Sequence, residues 1–197
     1  MNEQDAGLRA RLVDVGVELV AARGVQALTL REIARGAGVS HGAPRRYFPT
    51  HVSLLSAIAR RGFAQLAAEV AKAVGDGTAS PRAQLHALGG AYLGFAAEHT
   101  GMFELMFRHD LLESDGLGLR ETSLPLFDVL VGLVAEARTG SGGPGARVVA
   151  GSLWANLHGI AQLWRWGSLQ LAAGSADPGP LLTAALDAHL GPEDASR

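Results

Sequence analysis

The chain has 197 residues, 48% apolar and 18% charged, with a net charge of −2. That length and balance suit one or two domains with a substantial core and exclude a disordered chain. With no cysteine, disulfides and thiolate metal sites are excluded, which fits a reducing cytoplasm.

The charge is unevenly spread. Residues 1–65 carry nine arginines against five carboxylates, a net +4, and the rest carry eight bases against fourteen acids, a net −6. A basic head on an acidic body suits a head that meets phosphate and a body that does not. The opening Met1-Asn2-Glu3-Gln4-Asp5 is acidic and polar, unlike a secretion signal, and no run approaches the roughly 18 apolar residues of a membrane span. A cytoplasmic protein with no membrane partner is expected.

Leu8, Leu12, Val15 and Leu19 recur at helical spacing and predict an amphipathic helix over 8–23, ending near Gly24. Residues 28–48 then read as two short helices joined by a tight turn. Thr29 can cap the first, with Glu32 as its capping-box partner, while Ile33 and Ala34 face inward. The helix stops at Gly36-Ala37-Gly38, where Gly38 can turn left-handed. Val39 plugs the angle, and Ser40 caps the second helix. This is the layout of a helix-turn-helix, whose second helix enters a DNA major groove.

Thr50 is placed to cap a long helix over 52–74, with Leu55, Ile58, Leu66 and Val70 inward. After a loop at 75–79, Ser80-Pro81 opens a helix to about His99 that carries Leu85, Leu88, Tyr92 and Phe95. Thr100 caps a short apolar segment, 102–107, and 110–118 reads as a loop. Leu124, Phe127, Leu130, Val131 and Val134 mark a further helix, closed by the glycine-rich stretch 139–145. Val149, Leu153, Leu157, Ile160 and Trp164 predict one long helix over 146–171. Asp177-Pro178 opens the last, with Leu182, Leu186 and Leu190. The chain is expected to be all-α, with about nine helices: a three-helix head (6–66, recognition motif 29–48), a helical body (67–191) and a tail (192–197).

The run Thr29…Ile33-Ala34…Ala37-Gly38-Val39-Ser40-x-Gly42, followed by Tyr47-Phe48-Pro49-x-His51 and Leu54-Leu55, resembles the N-terminal domain of TetR-family transcriptional regulators. The resemblance covers residues 8–66. It departs at Ala43-Pro44-Arg45, where members usually carry Thr-Leu-Tyr, and at His51, where they usually carry Lys. Ser40 and His41 open the recognition helix, and His41, Ala43 and Arg45 project from its first turns as candidates for base readout. Arg46 and Tyr47 are assigned to phosphate. Thr29 and His51 match family positions that hold the DNA backbone.

In the body, Trp154…His158-Gly159 resembles the C-terminal ligand domain of the Trp-His-Gly (WHG) subset of such regulators. Trp154 and His158, four apart, share a helix face. His158 reads equally as a ligand-facing residue or as a core histidine bonded to a backbone carbonyl. Tyr92, Phe95, Phe103, Phe107, Phe127 and Trp154 would by default fill a core. Their helices surround the family's ligand cavity, so the resemblance implies a pocket for an apolar or aromatic small molecule, with the segment around Phe103 as relay. Trp164 and Trp166, with Leu163 and Leu169, make the 146–171 helix apolar over more than one face. The resemblance implies that the last two helices form a homodimer interface, with Leu153, Trp164, Leu182 and Leu186 as candidates.

No phosphate loop, Gly-x-Ser-x-Gly motif or cysteine nucleophile is present, and no two of the seven histidines lie four apart. No enzyme, cofactor or metal site is expected. The function implied is a ligand-responsive transcriptional regulator that binds double-stranded DNA, a repressor released from a palindromic operator by a small molecule. The alternative is a small-molecule-binding helical protein that has lost specific DNA reading.

Overall fold

A computed structural model describes residues 3–108, 119–138 and 143–192. The loop expected over 110–118, residues 139–142 of the glycine-rich stretch and the tail from 193 lie outside them. Ten α-helices and one 3-10 turn, but no strand, occur among the described residues. They are α1 (Glu3–Arg23), the 3-10 turn Val25–Ala27, α2 (Leu30–Gly36), α3 (Ala43–Tyr47), α4 (His51–Val74), α5 (Pro81–Glu98), α6 (Thr100–Met106), α7 (Leu119–Ala137), α8 (Ala146–Arg165), α9 (Ser168–Ala173) and α10 (Gly179–Leu190). The chain divides into two compact units, Met1–Gln65 with His99–Ser123, and Leu66–Glu98 with Leu124–Arg197.

The first unit packs α1 to α3, the start of α4, and α6. Its core holds Leu12, Ile33, Ala34, Leu54 and Ile58, all fully buried, and Phe48. The buried line of α1 runs through Leu12, Val13, Gly16 and Val20, one step round from the stripe read in the sequence, since Leu8, Val15 and Leu19 are only half-buried. A Cβ on Gly16 would lie 2.3 Å from Ile58 Cδ1, so α1 and α4 cross closely there.

Residues 99–108 return to this unit, although a cut at residue 66 assigns them to the body. Glycines make that return possible. A Cβ on Gly101 would sit 2.4 Å from the Val20 carbonyl oxygen, so α6 lies backbone to backbone on the end of α1. A Cβ on Gly62 would meet the sulfurs of Met102 and Met106 at 2.7 Å, which brings α4 equally near. Phe107 stands edge-on to Phe63, centroids 5.7 Å apart, and 4.9 Å from Phe103.

The second unit is built from the rest of α4 and from α5, α7, α8, α9 and α10. Leu66, Val70, Leu85, Leu88, Phe95, Val134, Leu153, Leu157, Leu182 and Leu186 form its core. Leu182 occupies the space that a side chain at Gly89 would take, 2.5 Å from its ideal Cβ.

Two helix starts follow the expected caps. Thr50 Oγ1 accepts from Ser53 N at 3.0 Å, and Ser80 Oγ accepts from Ala83 N at 3.2 Å. Others shift. His99, not Thr100, is the residue before α6. The helix expected over 146–171 is two helices, because Gly167 takes φ +76° and separates α8 from α9. The apolar pattern runs across that break, so periodicity alone does not reveal it.

Candidate nucleic-acid interface and effector site

The helix-turn-helix is held at both of its joints. Thr29 Oγ1 accepts the Glu32 amide at 3.2 Å and so caps α2. Glu32 does not close the other half of the box. Its carboxylate instead accepts from Arg23 at 2.8 Å and Arg35 at 2.7 Å, and these two cations, Arg35 first, hold its pKa below the ordinary carboxylate value. At the turn Gly38 takes φ +66°, and Val39 N donates to Ala34 O at 3.0 Å. A side chain with a Cβ is strained in that backbone region, so the turn needs glycine.

The second helix begins later than the sequence reading places it. Ser40 does not cap it with its side chain. Its carbonyl accepts from Ala43 N at 3.0 Å, and α3 starts at Ala43 with Gly42 before it. The reason is Pro44. A helix begun at Ser40 would place proline in its interior without a donor. Starting at Ala43 puts the ring in the first turn, where its missing N–H costs nothing. Pro44 and Phe48 are buried, so α3 is anchored at both ends.

Thr29, Ser40, His41, Arg45, Arg46 and His51 are exposed, and Ala43 and Tyr47 are half-buried. His41 lies in the turn before α3, while Arg45 and Arg46 lie on it. His51 has a partner within the fold, because its Nε2 meets the carbonyl of Leu28. A carbonyl only accepts, so Nε2 carries the hydrogen. This bond ties the first turn of α4 to the residues that enter α2.

The second unit contains a linked aromatic cluster. Tyr92, 5% exposed, places its hydroxyl 2.8 Å from His158 Nδ1, and Trp154 Nε1 donates to the same hydroxyl at 3.3 Å. Burial pushes the Tyr92 phenol well above its ordinary pKa, partly opposed by the Trp154 hydrogen bond, so it stays neutral and can donate to Nδ1. On the other side of the ring the Gln162 side-chain nitrogen lies 3.3 Å from His158 Nε2, so both imidazole nitrogens have a polar neighbour. Phe127 packs 6.0 Å from the Trp154 ring, and the Arg147 guanidinium lies 5.3 Å from the Phe127 centroid while pairing with Asp128 at 2.9 Å.

Of the side chains named for an effector pocket, the structure therefore brings together Tyr92, Phe127, Trp154 and His158. Phe95 is buried in the core of the same unit, whereas Phe103 and Phe107 belong to the other one. Gln162 and Arg147 were not foreseen. Gln162 could have been, since it continues the four-residue spacing of Trp154 and His158. A separate half-open cavity of about 500 Å³ lies between α5 and α10, with Arg82, His86, Thr183 and Asp187 on its wall. None of the aromatic residues named above lines it.

The proposed dimer residues are placed differently from each other. Leu153, Leu182 and Leu186 are at most 2% exposed and fill the protomer's own core, so a second copy cannot reach them. Trp164 is half-buried. The large apolar side chains exposed near it are Leu163, Trp166 and Leu171, at 40%, 64% and 87%. No group of three metal-ligating side chains occurs among the described residues, and no described helix is long and apolar enough to cross a membrane.

A helix-turn-helix in the first unit, followed by a second helical unit, is the architecture of a helix-turn-helix regulator. Two family descriptions match the chain: "Bacterial regulatory proteins, tetR family" over residues 12–58, and "Tetracyclin repressor-like, C-terminal domain" over residues 85–189. The chain belongs to the TetR family of transcriptional regulators. It is similar to a protein of unknown function from Rhodococcus sp. RHA1, at 35% identity over 93% of each chain with a TM-score of 0.75. A TetR-like transcriptional regulator from the same organism shares the fold at 19% identity, covering 93% of this chain and 96% of that one, with a TM-score of 0.65. RolR, in complex with the ligand resorcinol, shares it at 22% identity, covering 98% of this chain and 92% of that one, with a TM-score of 0.68. No curated protein matches the chain.

Proposed function

We propose that the protein is a cytoplasmic homodimeric repressor that holds a palindromic operator and is released from it by a small aromatic molecule. The observation that carries this reading is the pair Arg45 and Arg46, exposed on a short helix whose two ends are buried at Pro44 and Phe48. Arginine offers bidentate bonds to guanine and charge-assisted bonds to phosphate. Five helical residues read few base pairs alone, so a two-fold dimer with half-sites about 34–36 Å apart, or a multiple of that, is the natural reader. Leu163, Trp164, Trp166 and Leu171 offer apolar surface for pairing the two copies.

The effector is assigned to the second unit, beside Tyr92, Phe127, Trp154 and His158. These offer ring faces together with a phenol, an indole and an imidazole, a set suited to a planar molecule with one or two hydroxyls. The resorcinol held by a fold relative is of that kind. Release is a population shift through α4, which belongs to both units. To reverse occupancy from 1:99 to 99:1 the effector must favour the non-binding state by about 5.5 kcal/mol. The test is a titration of labelled DNA flanking the protein's own coding region, with and without resorcinol and related phenols. Binding that a phenol weakens supports the reading. Absence of DNA binding at low salt and micromolar protein sinks it. DNA binding untouched by any phenol refutes the effector assignment alone.

A further inference from the structure

Among the described residues, the first unit pairs some of its arginines with carboxylates and leaves others without an ion pair. Arg23 and Arg35 share Glu32, and Arg61 pairs with Asp14 at 3.1 Å. Arg9, Arg11, Arg31, Arg45, Arg46 and Arg60 are exposed and make no ion pair among the described residues. Bare exposed arginines are what a phosphate-binding surface requires, but exposure alone does not place a side chain.

Arg9 is placed. Its guanidinium carbon lies 5.0 Å from the centroid of the Phe48 ring. Phe48 is the residue that ends α3, is 1% exposed, and donates its amide to Pro44 O at 2.8 Å, so the ring is a fixed platform. A ring attracts the cation electrostatically and uses none of its five N–H donors. The fork therefore stays available at the end of the recognition helix, beside the stretch that carries Arg45 and Arg46. Part of the entropy of ordering a long side chain is already spent in the free protein.

We propose that Arg9 is a DNA-phosphate contact, held ready by Phe48, which extends the nucleic-acid footprint from α3 onto α1. The inference rests on the DNA-binding reading above. The competing role is structural, with the Arg9 stem simply covering Phe48.

Two variants of the full chain separate these roles. Arg9→Met keeps an apolar cover over the ring but removes the charge, and Arg9→Lys keeps the charge without the planar fork. Each is titrated against a labelled 30-base-pair duplex of random sequence, and against DNA flanking the coding region, between about 50 and 200 mM salt. For Arg9→Met the plot of log affinity against log salt should be shallower by about 0.9, the value of one lost phosphate contact, on both duplexes alike. Arg9→Lys should keep the parent slope. Circular dichroism and thermal unfolding, unchanged in both, exclude a folding defect. A parent slope in Arg9→Met overturns the proposal, and so does an equal loss of slope in both variants, because charge would then not be the cause. If the parent protein binds neither duplex, the DNA-binding reading itself fails and this inference falls with it.

Discussion

Tyr92 and His158 meet side chain to side chain, Oη to Nδ1 at 2.8 Å, although they stand on different helices 66 residues apart. Trp154 donates to the same hydroxyl, so one oxygen joins α5 to two turns of α8. Tyr92→Phe removes that oxygen and leaves the Trp154 and His158 nitrogens without it in a part-buried setting. Urea unfolding of this variant should show a loss of about 1–3 kcal/mol. Stability equal to the parent would mean that the hydroxyl contributes nothing to joining the two helices.

Gly101 and Gly62 fix α6 from two sides, but with different tolerance. At Gly101 a methyl group meets the Val20 carbonyl, which is backbone and cannot swing away. At Gly62 it meets the thioether ends of Met102 and Met106, which can. Gly101→Ala should therefore destabilise by about 1–3 kcal/mol, while Gly62→Ala, offset by the better helix propensity of alanine, should cost less. Denaturation midpoints in the reverse order would refute the backbone contact between α1 and α6.

Arg45 and Arg46 should divide their labour. Arg45→Ala is expected to flatten the preference among operator variants, a loss of about 1–3 kcal/mol of discrimination at one base pair. Arg46→Ala should weaken every duplex alike and make the salt dependence shallower by about 0.9. Competition binding with a panel of singly substituted duplexes measures both. Identical, uniform losses in the two variants would remove the distinction.

Glu32 makes the head sensitive to acid. Arg35 and Arg23 lower its pKa in the folded state, so its contribution is complete above the ordinary value of 4.5 and is lost as pH falls through the depressed value. Glu32→Gln should be less stable than the parent near neutrality, and the gap should close in strong acid. Added salt should narrow it as well, since the pair is exposed. A gap that is constant with pH would assign the effect to packing instead of charge.

The parts of the fold that the sequence makes legible are those set by neighbouring residues. Thr29 and Gly38 announce a cap and a turn through their own chemistry, and both serve as read. Ser40 is as plausible a cap by composition, yet Pro44 four residues later forces the later start. The break at Gly167 is hidden because Trp164, Leu169 and Leu171 keep the apolar spacing across it. Long-range placement is less legible still. The apolar run 102–107 marks Met102, Phe103 and Met106 for burial, but only the close approaches at Gly101 and Gly62 show against what. Likewise Leu153, Leu182 and Leu186 show a helical stripe whose partner, core or second copy, no spacing can name.

The central claim is sequence-specific DNA binding by the head. Fluorescence anisotropy of a labelled duplex flanking the protein's own coding region, competed with a random duplex at physiological salt, tests it most directly. The expected result is a preference for the flanking duplex of about 10³ or more. Equal affinity for the two, or no binding to either at low salt and micromolar protein, would contradict it.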